Sequence, residues 1–577
     1  MHMISRSTLG SSLPNTAAGF GRQDIFVFLA LTAIWIAMAA FVNPIGNFPL
    51  NDDWVYAQAV QSLLDTGRYK FLSETSANVG PQIYWGALFC LPTGFSFTAL
   101  RFSTLTLGLI GTLVLYSLVL EATQDRKLST LAALCLVANP LYFSLSNTFM
   151  TDIPFVVVML IASALLTQGL SRESRSYIVA GIITAFAAIL IRQLGIVILF
   201  AYAAALLAKR GVSFRNAIFG LLPILAGLAI HFGYQYWITS TGRVPVLTIH
   251  SSVGVFIPDT DRLVDMLKTI AAGILYSGFF IAPFVALYAT FERPKLHNLS
   301  RKSGTTLWIS FAVVVMSFSI LLYAQRLLPH KGNIMIPAGI GPLTLLDTYV
   351  LNQNLPVITA LGRVLWGALT LVALASIVYT VNLPLTAYGW HAKHLLRNKP
   401  HSKPPNWNIV YFSMLGLSYL AILVLISGKV PIFDRYYIIF LPILILILSN
   451  ASSLRKRVQG RISTAVSVSL IFASAIFSIL ATHDYLSFNR TRWAALNDLQ
   501  RQGVSPSNID GGYEFNGIYT YDPKYRRQPG KGWWWVVDDK YVIASGMLPN
   551  YSEVRRYSFQ RWVLGTQSAI FVLRRNE

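Results

Sequence analysis

The chain has 577 residues, 54% of them hydrophobic and only 12% charged, about half the roughly 25% charged fraction of soluble domains. That balance excludes an ordinary soluble globule and predicts a polytopic membrane protein. The net charge of +22 and the two cysteines, Cys90 and Cys135, have to be read in that setting.

Residues 1–23 read as a cytoplasmic N-terminus and 24–481 as a transmembrane domain. Apolar runs of about bilayer length fall at 24–43, 102–120, 128–146, 153–170, 176–191, 193–208, 215–237, 268–290, 305–325, 358–386, 408–427, 435–450 and 462–481, which predicts thirteen spans. The first run is too long, and lacks the small-residue cleavage site, to be a removable signal peptide.

Between the first two runs lies a long loop, 44–101. Its stretch 81–97, "PQIYWGALFCLPTGFSF", is apolar but broken by Pro81, Pro92 and Gly94, and charge decides its place. With 81–97 lying along the surface, Arg126 and Lys127, Arg172 and Arg175, Lys209 and Arg210, Arg293 and Lys295, Arg397, Lys399 and Lys403, and Arg455–Arg457 share the side of the N-terminus. The opposite loops carry fewer basic residues over longer segments. The positive-inside rule is obeyed only if 81–97 is interfacial. The +22 is then a topology signal, and a nucleic-acid partner has no support.

Earlier in the same loop, "NDDWVYAQAVQSLLDTG" (51–67) reads as the first of two interfacial helices. Tyr56, Val60, Leu63 and Leu64 recur at helical spacing and Gly67 is the stop signal. Asn51 or Asp52 could serve only as its N-cap. Asp152 weakens that plain reading. It stands at the outer mouth of the fourth run with Thr151 beside it as a cap, and Arg192 and Arg435 fall on the same side. A span-end arginine alone is most simply a snorkelling anchor; two acids and two arginines on one face point to a site.

The tail 482–577 reads as a small α+β domain outside the membrane. "TRWAALNDLQRQG" (491–503) predicts a capped helix ending at Gly503, and "KYVIASGML", "YSFQRWVL" and "SAIFVLRR" predict strands. Two cysteines in apolar context give no disulfide framework. Trp533–Trp535 read as a packed core or an interfacial belt before a sugar-stacking surface, 509–517 as a glycine turn, and the aromatics of 232–242 as an interface belt. His483, Asp484, Asp510 and Glu514 lack metal-ligand spacing.

These features together resemble the GT-C glycosyltransferases of the protein mannosyltransferase and aminoarabinose transferase type. The resemblance rests on Asp52, Asp53 and Tyr56 in the first outer loop, Pro81, Tyr84 and Trp85 in its second interfacial helix, Asp152, and the Arg435, Tyr436, Leu441, Pro442 stretch, over about residues 24–450. It implies an all-α GT-C fold, and a sugar moved from a polyprenyl-phosphate carrier to an extracytoplasmic hydroxyl with inversion. It also implies a multi-pass protein of a bacterial plasma membrane whose site faces the periplasm or exterior. On that reading Asp52 is the general base, with Asp53 beside it. Asp152 orients the acceptor or stabilises positive charge developing on the sugar, Arg435 or Arg192 holds the phosphate, and Tyr56, Tyr84 and Tyr436 line the substrate. Two departures stand out. Val79-Gly80-Pro81 replaces the usual Lys-Pro-Pro, leaving Arg192 or Lys70 for the phosphate, and Asp53 stands where Glu is usual. No cofactor is assigned: a divalent cation could bridge Asp52 or Asp53 with Asp152, but two carboxylate positions do not define a metal site. The acceptor hydroxyl belongs to a lipid, a glycan or a protein. A flippase for lipid-linked sugar would show intramembrane polar paths, and an O-antigen ligase or polymerase would lead with basic outer-loop residues; those are the alternatives.

Overall fold

The computed structural model describes residues 21–243, 260–288, 301–330, 332–395, 406–428, 430–451, 460–526, 531 and 534–576. The basic residues expected at 293–295, 397–403 and 455–457, and Trp533, lie outside them. Helices α1 (Arg22–Val42), α2 (Asp53–Thr66), α3 (Gly80–Cys90), α4 (Phe97–Thr123), α5 (Arg126–Val137) and α6 (Pro140–Ser146) open the chain. Then come α7 (Asp152–Ser171), α8 (Arg175–Ile191), α9 (Ile196–Arg210), α10 (Phe214–Ser240) and α11 (Thr260–Val285). After them run α12 (Arg301–Tyr323), α13 (Ala360–Leu395), α14 (Trp407–Ile426), α15 (Phe440–Asn450), α16 (Arg461–Arg501) and, in the tail, α17 (Tyr513–Thr520).

Every one of the thirteen apolar runs is helical, but not as thirteen full spans. Among the described residues nine helices are long and apolar enough to cross a bilayer, or ten if α5 and α6, bent by 63°, count as one. Local chemistry shortens or bends three of the others. Pro140 starts α6 while Asn139 Oδ1 accepts from the Leu141 and Tyr142 N–H groups at 3.0 and 3.1 Å, a cap in mid-run. Arg192 leaves α8 in an extended conformation, and a 3-10 turn, Asp434–Tyr437, precedes the 11-residue α15.

α3 has 11 residues, so it rises about 16 Å, half the hydrocarbon thickness, and does not span. In α2, Gly67 takes φ +70°, the left-handed C-terminal stop that favours glycine, and Tyr56 and Val60 are buried. α11 and α13 touch closely enough that a Cβ on Gly278 would stand 2.1 Å from the Ala373 carbonyl oxygen, the small-residue contact of helices that lack a hydrophobic drive to associate in lipid.

The expected separate tail helix at 491–503 is instead the end of α16, one helix of 41 residues. At about 60 Å it is twice as long as a bilayer needs, and it carries the tail rigidly on its far end. The tail sheet has the order β3-β4-β6-β5, with β3 (Ile509–Asp510) parallel to β4 (Tyr541–Ala544) and β5 (Tyr551–Arg561) and β6 (Thr566–Arg575) forming an antiparallel hairpin; β1 (Met335–Ile336) and β2 (Gly339–Ile340) form a separate small hairpin before α13.

Candidate active site

Four segments remote in sequence close on one cavity of about 400 Å³. Asn51 and Asp52 come from the start of α2, Asn333, Pro342 and Thr344 from the strap before α13, and Phe433 and Arg435 from the turn before α15. Tyr513, Trp534 and Trp535 come from the tail. Buried carboxylates lock the segments together. Asp434 accepts the N–H groups of Asn333 and Met335 at 3.1 and 2.7 Å, tying the strap to the turn. Glu514, fully buried, accepts from Asn51 N at 2.9 Å and Thr344 Oγ1 at 2.6 Å and pairs with Arg492 at 2.8 Å, tying the tail to the loop that presents Asp52.

Asp52 occupies the N-cap position of α2 yet its side chain caps nothing. It turns into the cavity instead, where Oδ2 accepts from Arg435 Nη2 at 2.9 Å and Oδ1 from the Tyr513 hydroxyl at 3.1 Å. Burial first, and the Asp52 charge second, push the Tyr513 phenol well above its ordinary value, so it stays protonated and donates.

Behind this pair lies a second, drier one. Arg192 Nη2 is 2.9 Å from Asp152 Oδ1, both side chains buried, and Arg192 Nε donates to Thr151 Oγ1 at 2.7 Å. The Tyr436 ring joins the two layers, with the Arg192 and Arg435 guanidinium carbons 5.2 and 5.6 Å from its centroid. Both Asp152 oxygens and Arg435 Nε lack an aligned hydrogen-bond partner among the described residues, so hydrogen-bonding capacity is left over where it is most costly to leave.

Not every expected residue joins in. Asp53 is buried and faces the body of the protein, Oδ1 accepting from Leu50 N at 2.6 Å and Oδ2 from Phe149 N at 3.3 Å; burial pushes its carboxyl well up. Successive helical residues point about 100° apart, so neighbouring acids take different jobs. Tyr56 is buried beside the pairs, its phenol pushed up to about 12 by burial, and does not line the cavity. Tyr84 is 58% exposed and packs edge-on against Tyr69, away from it, and Lys70 is not on its wall. Tyr513 and Glu514, inside the expected glycine turn at 509–517, belong to the site, and Trp534 and Trp535 are cavity wall as well as core. Their sequence signal was only an unusually aromatic tail. Among the described residues no three His, Cys, Asp or Glu side chains gather as a metal site.

Residues 80–237 match the sequence model of the dolichyl-phosphate-mannose-protein mannosyltransferase family. That stretch holds Pro81, Tyr84, Trp85, Asp152 and Arg192. No curated protein matches the chain. Among solved structures it is similar to ArnT from Cupriavidus metallidurans bound to undecaprenyl phosphate, at 14% identity and TM-score 0.38, covering 96% of this chain and 98% of that one. It is also similar to the arabinosyltransferase EmbB from Mycobacterium smegmatis, at 13% identity and TM-score 0.32, covering 89% of this chain and 44% of the other.

Proposed function

We propose that this chain is an integral-membrane glycosyltransferase of the GT-C type. It moves a sugar from a polyprenyl-phosphate carrier to an acceptor hydroxyl at the outer face of a bacterial plasma membrane. The observation that carries the reading is the Asp52–Arg435 pair at 2.9 Å, open to a cavity and completed by Tyr513; the family match over 80–237 supports the carrier class.

Such a pair suits a single displacement. The acceptor hydroxyl gives its proton to Asp52 as its oxygen attacks the anomeric carbon, and the bond from that carbon to the phosphate oxygen breaks on the opposite face, inverting the centre. Protonation cancels the charge that holds Arg435. The guanidinium is thereby released toward the leaving phosphate at the moment its negative charge grows, with its unpartnered Nε already available. Arg192, anchored by Asp152 and Thr151, supports it through Tyr436.

The test is transfer by purified protein in detergent, with labelled polyprenyl-phosphate sugars and envelope lipid and glycan extracts as acceptors. Labelled product and free polyprenyl phosphate are expected, both falling about 100-fold or more in Asp52→Asn. Protein that moves lipid-linked sugar across proteoliposomes but never releases polyprenyl phosphate would be a flippase, and the proposal would fail.

A further inference from the structure

Another face of α2 borders a second cavity, of about 640 Å³, inside the roughly 300–1,000 Å³ range of ligand sites. Gln58, Gln61, Ser62 and Asp65 line it at i, i+3, i+4 and i+7, the polar stripe of an amphipathic helix. A stripe of that kind ordinarily faces open water. Here Phe97, together with Trp493 and Asn497 of α16 and Tyr519 of α17, faces it across a half-open groove in which Gln61, Asp65 and Asn497 stay exposed.

The wall chemistry is specific. The side chains of Gln58, half-buried, and of Gln61 and Asn497, both exposed, make no hydrogen bond to the described residues and are open to a ligand, and Trp493 Nε1 is buried without an acceptor. No lysine, arginine or histidine lines the space and its single charge is Asp65, in contrast to the Arg435 cavity. We infer that this groove binds a neutral oligosaccharide. Each amide presents a donor and an acceptor in one plane, matching neighbouring hydroxyls on a sugar ring. Aromatic side chains offer apolar faces to its C–H surface, and Asp65 accepts from further hydroxyls. A phosphate-bearing ligand would meet no cation, and an acyl chain would bury three amides unpaired. Gln58 is six residues from Asp52 on the same helix, about 9 Å along its axis, so a glycan seated here lies beside the Asp52 cavity without occupying it.

The inference rests on the groove alone and not on the transfer reading. Neutral oligosaccharides of two to six glucose, mannose, galactose or arabinose units are titrated into the detergent-solubilised chain and followed by tryptophan fluorescence and saturation-transfer NMR. At least one binds saturably, Gln61→Ala and Asn497→Ala each weaken it about tenfold, and Asp52→Asn leaves it unchanged. Failure of every oligosaccharide to bind, binding indifferent to both alanine substitutions, or a response to phospholipid headgroups alone overturns it. Sugar binding that persists in a protein with no transfer activity counts against the proposed function and leaves this groove standing.

Discussion

The two acid–arginine pairs share a separation of 2.9 Å and differ in water. The difference lies in the acids: Asp52 retains 28% of its side-chain exposure and Asp152 1%, while Arg435 and Arg192 are equally buried at 8%. An ion pair at a cavity wall can trade partners at small cost, since solvent and substrate replace what is lost. A desolvated pair cannot, because removing one member strands a buried charge. On the proposed mechanism the outer pair reacts, while the inner pair holds Arg192 and, through Tyr436, steadies Arg435.

The sharpest break of that contrast is Asp152→Ala. It strands Arg192 and should cost about 3–5 kcal/mol, seen as lost expression or a lower Tm in detergent; replacing Arg192 by Met in the same protein should recover part of the loss. Stability unchanged in the single variant would show that the inner pair holds nothing.

Asp52→Ala is the mirror experiment. Transfer should drop at least about 100-fold, while Tm falls less than in Asp152→Ala because the stranded Arg435, though itself only 8% exposed, borders the cavity and its solvent. A large Tm loss would make Asp52 structural, like Asp152.

A smaller effect is expected from Tyr513→Phe, which removes one of the two donors to Asp52. Turnover should fall about three- to tenfold with KM for the donor unchanged. A rise in KM alone would assign Tyr513 to binding.

The smallest effect concerns Asp53. Burial raises its folded pKa well above the ordinary 3.8, so its contribution to stability is present below that value and is lost as the pH rises through the raised one. Asp53→Asn stays neutral, and its Tm should vary less with pH than the parent's while transfer survives. Activity lost in Asp53→Asn and kept in Asp52→Asn would exchange the roles of the two acids.

Helix positions were legible because hydrophobic runs and their stops are local properties of the chain. Gly67 ends α2 where its φ of +70° requires it, and the breaks at 81–97 announced a short helix. The groups of the proposed site were legible as types: two acids and two arginines at or between the ends of apolar runs, where their presence in an apolar chain is costly enough to need a reason. Sequence by itself thus determined a polytopic helical protein with a small mixed tail and nominated Asp52, Asp152, Arg192 and Arg435. Packing alone decided which acid faces the cavity, since Asp52 and Asp53 are equivalent until the body of the protein buries one side of α2. It also decided that Arg435 pairs with Asp52 across 383 residues, and that Tyr513 reaches the same carboxylate across 461. Hydrophobic periodicity is written into neighbouring residues, but a hydrogen bond between distant ones exists only after α16 has carried the tail back over the loop that begins α2.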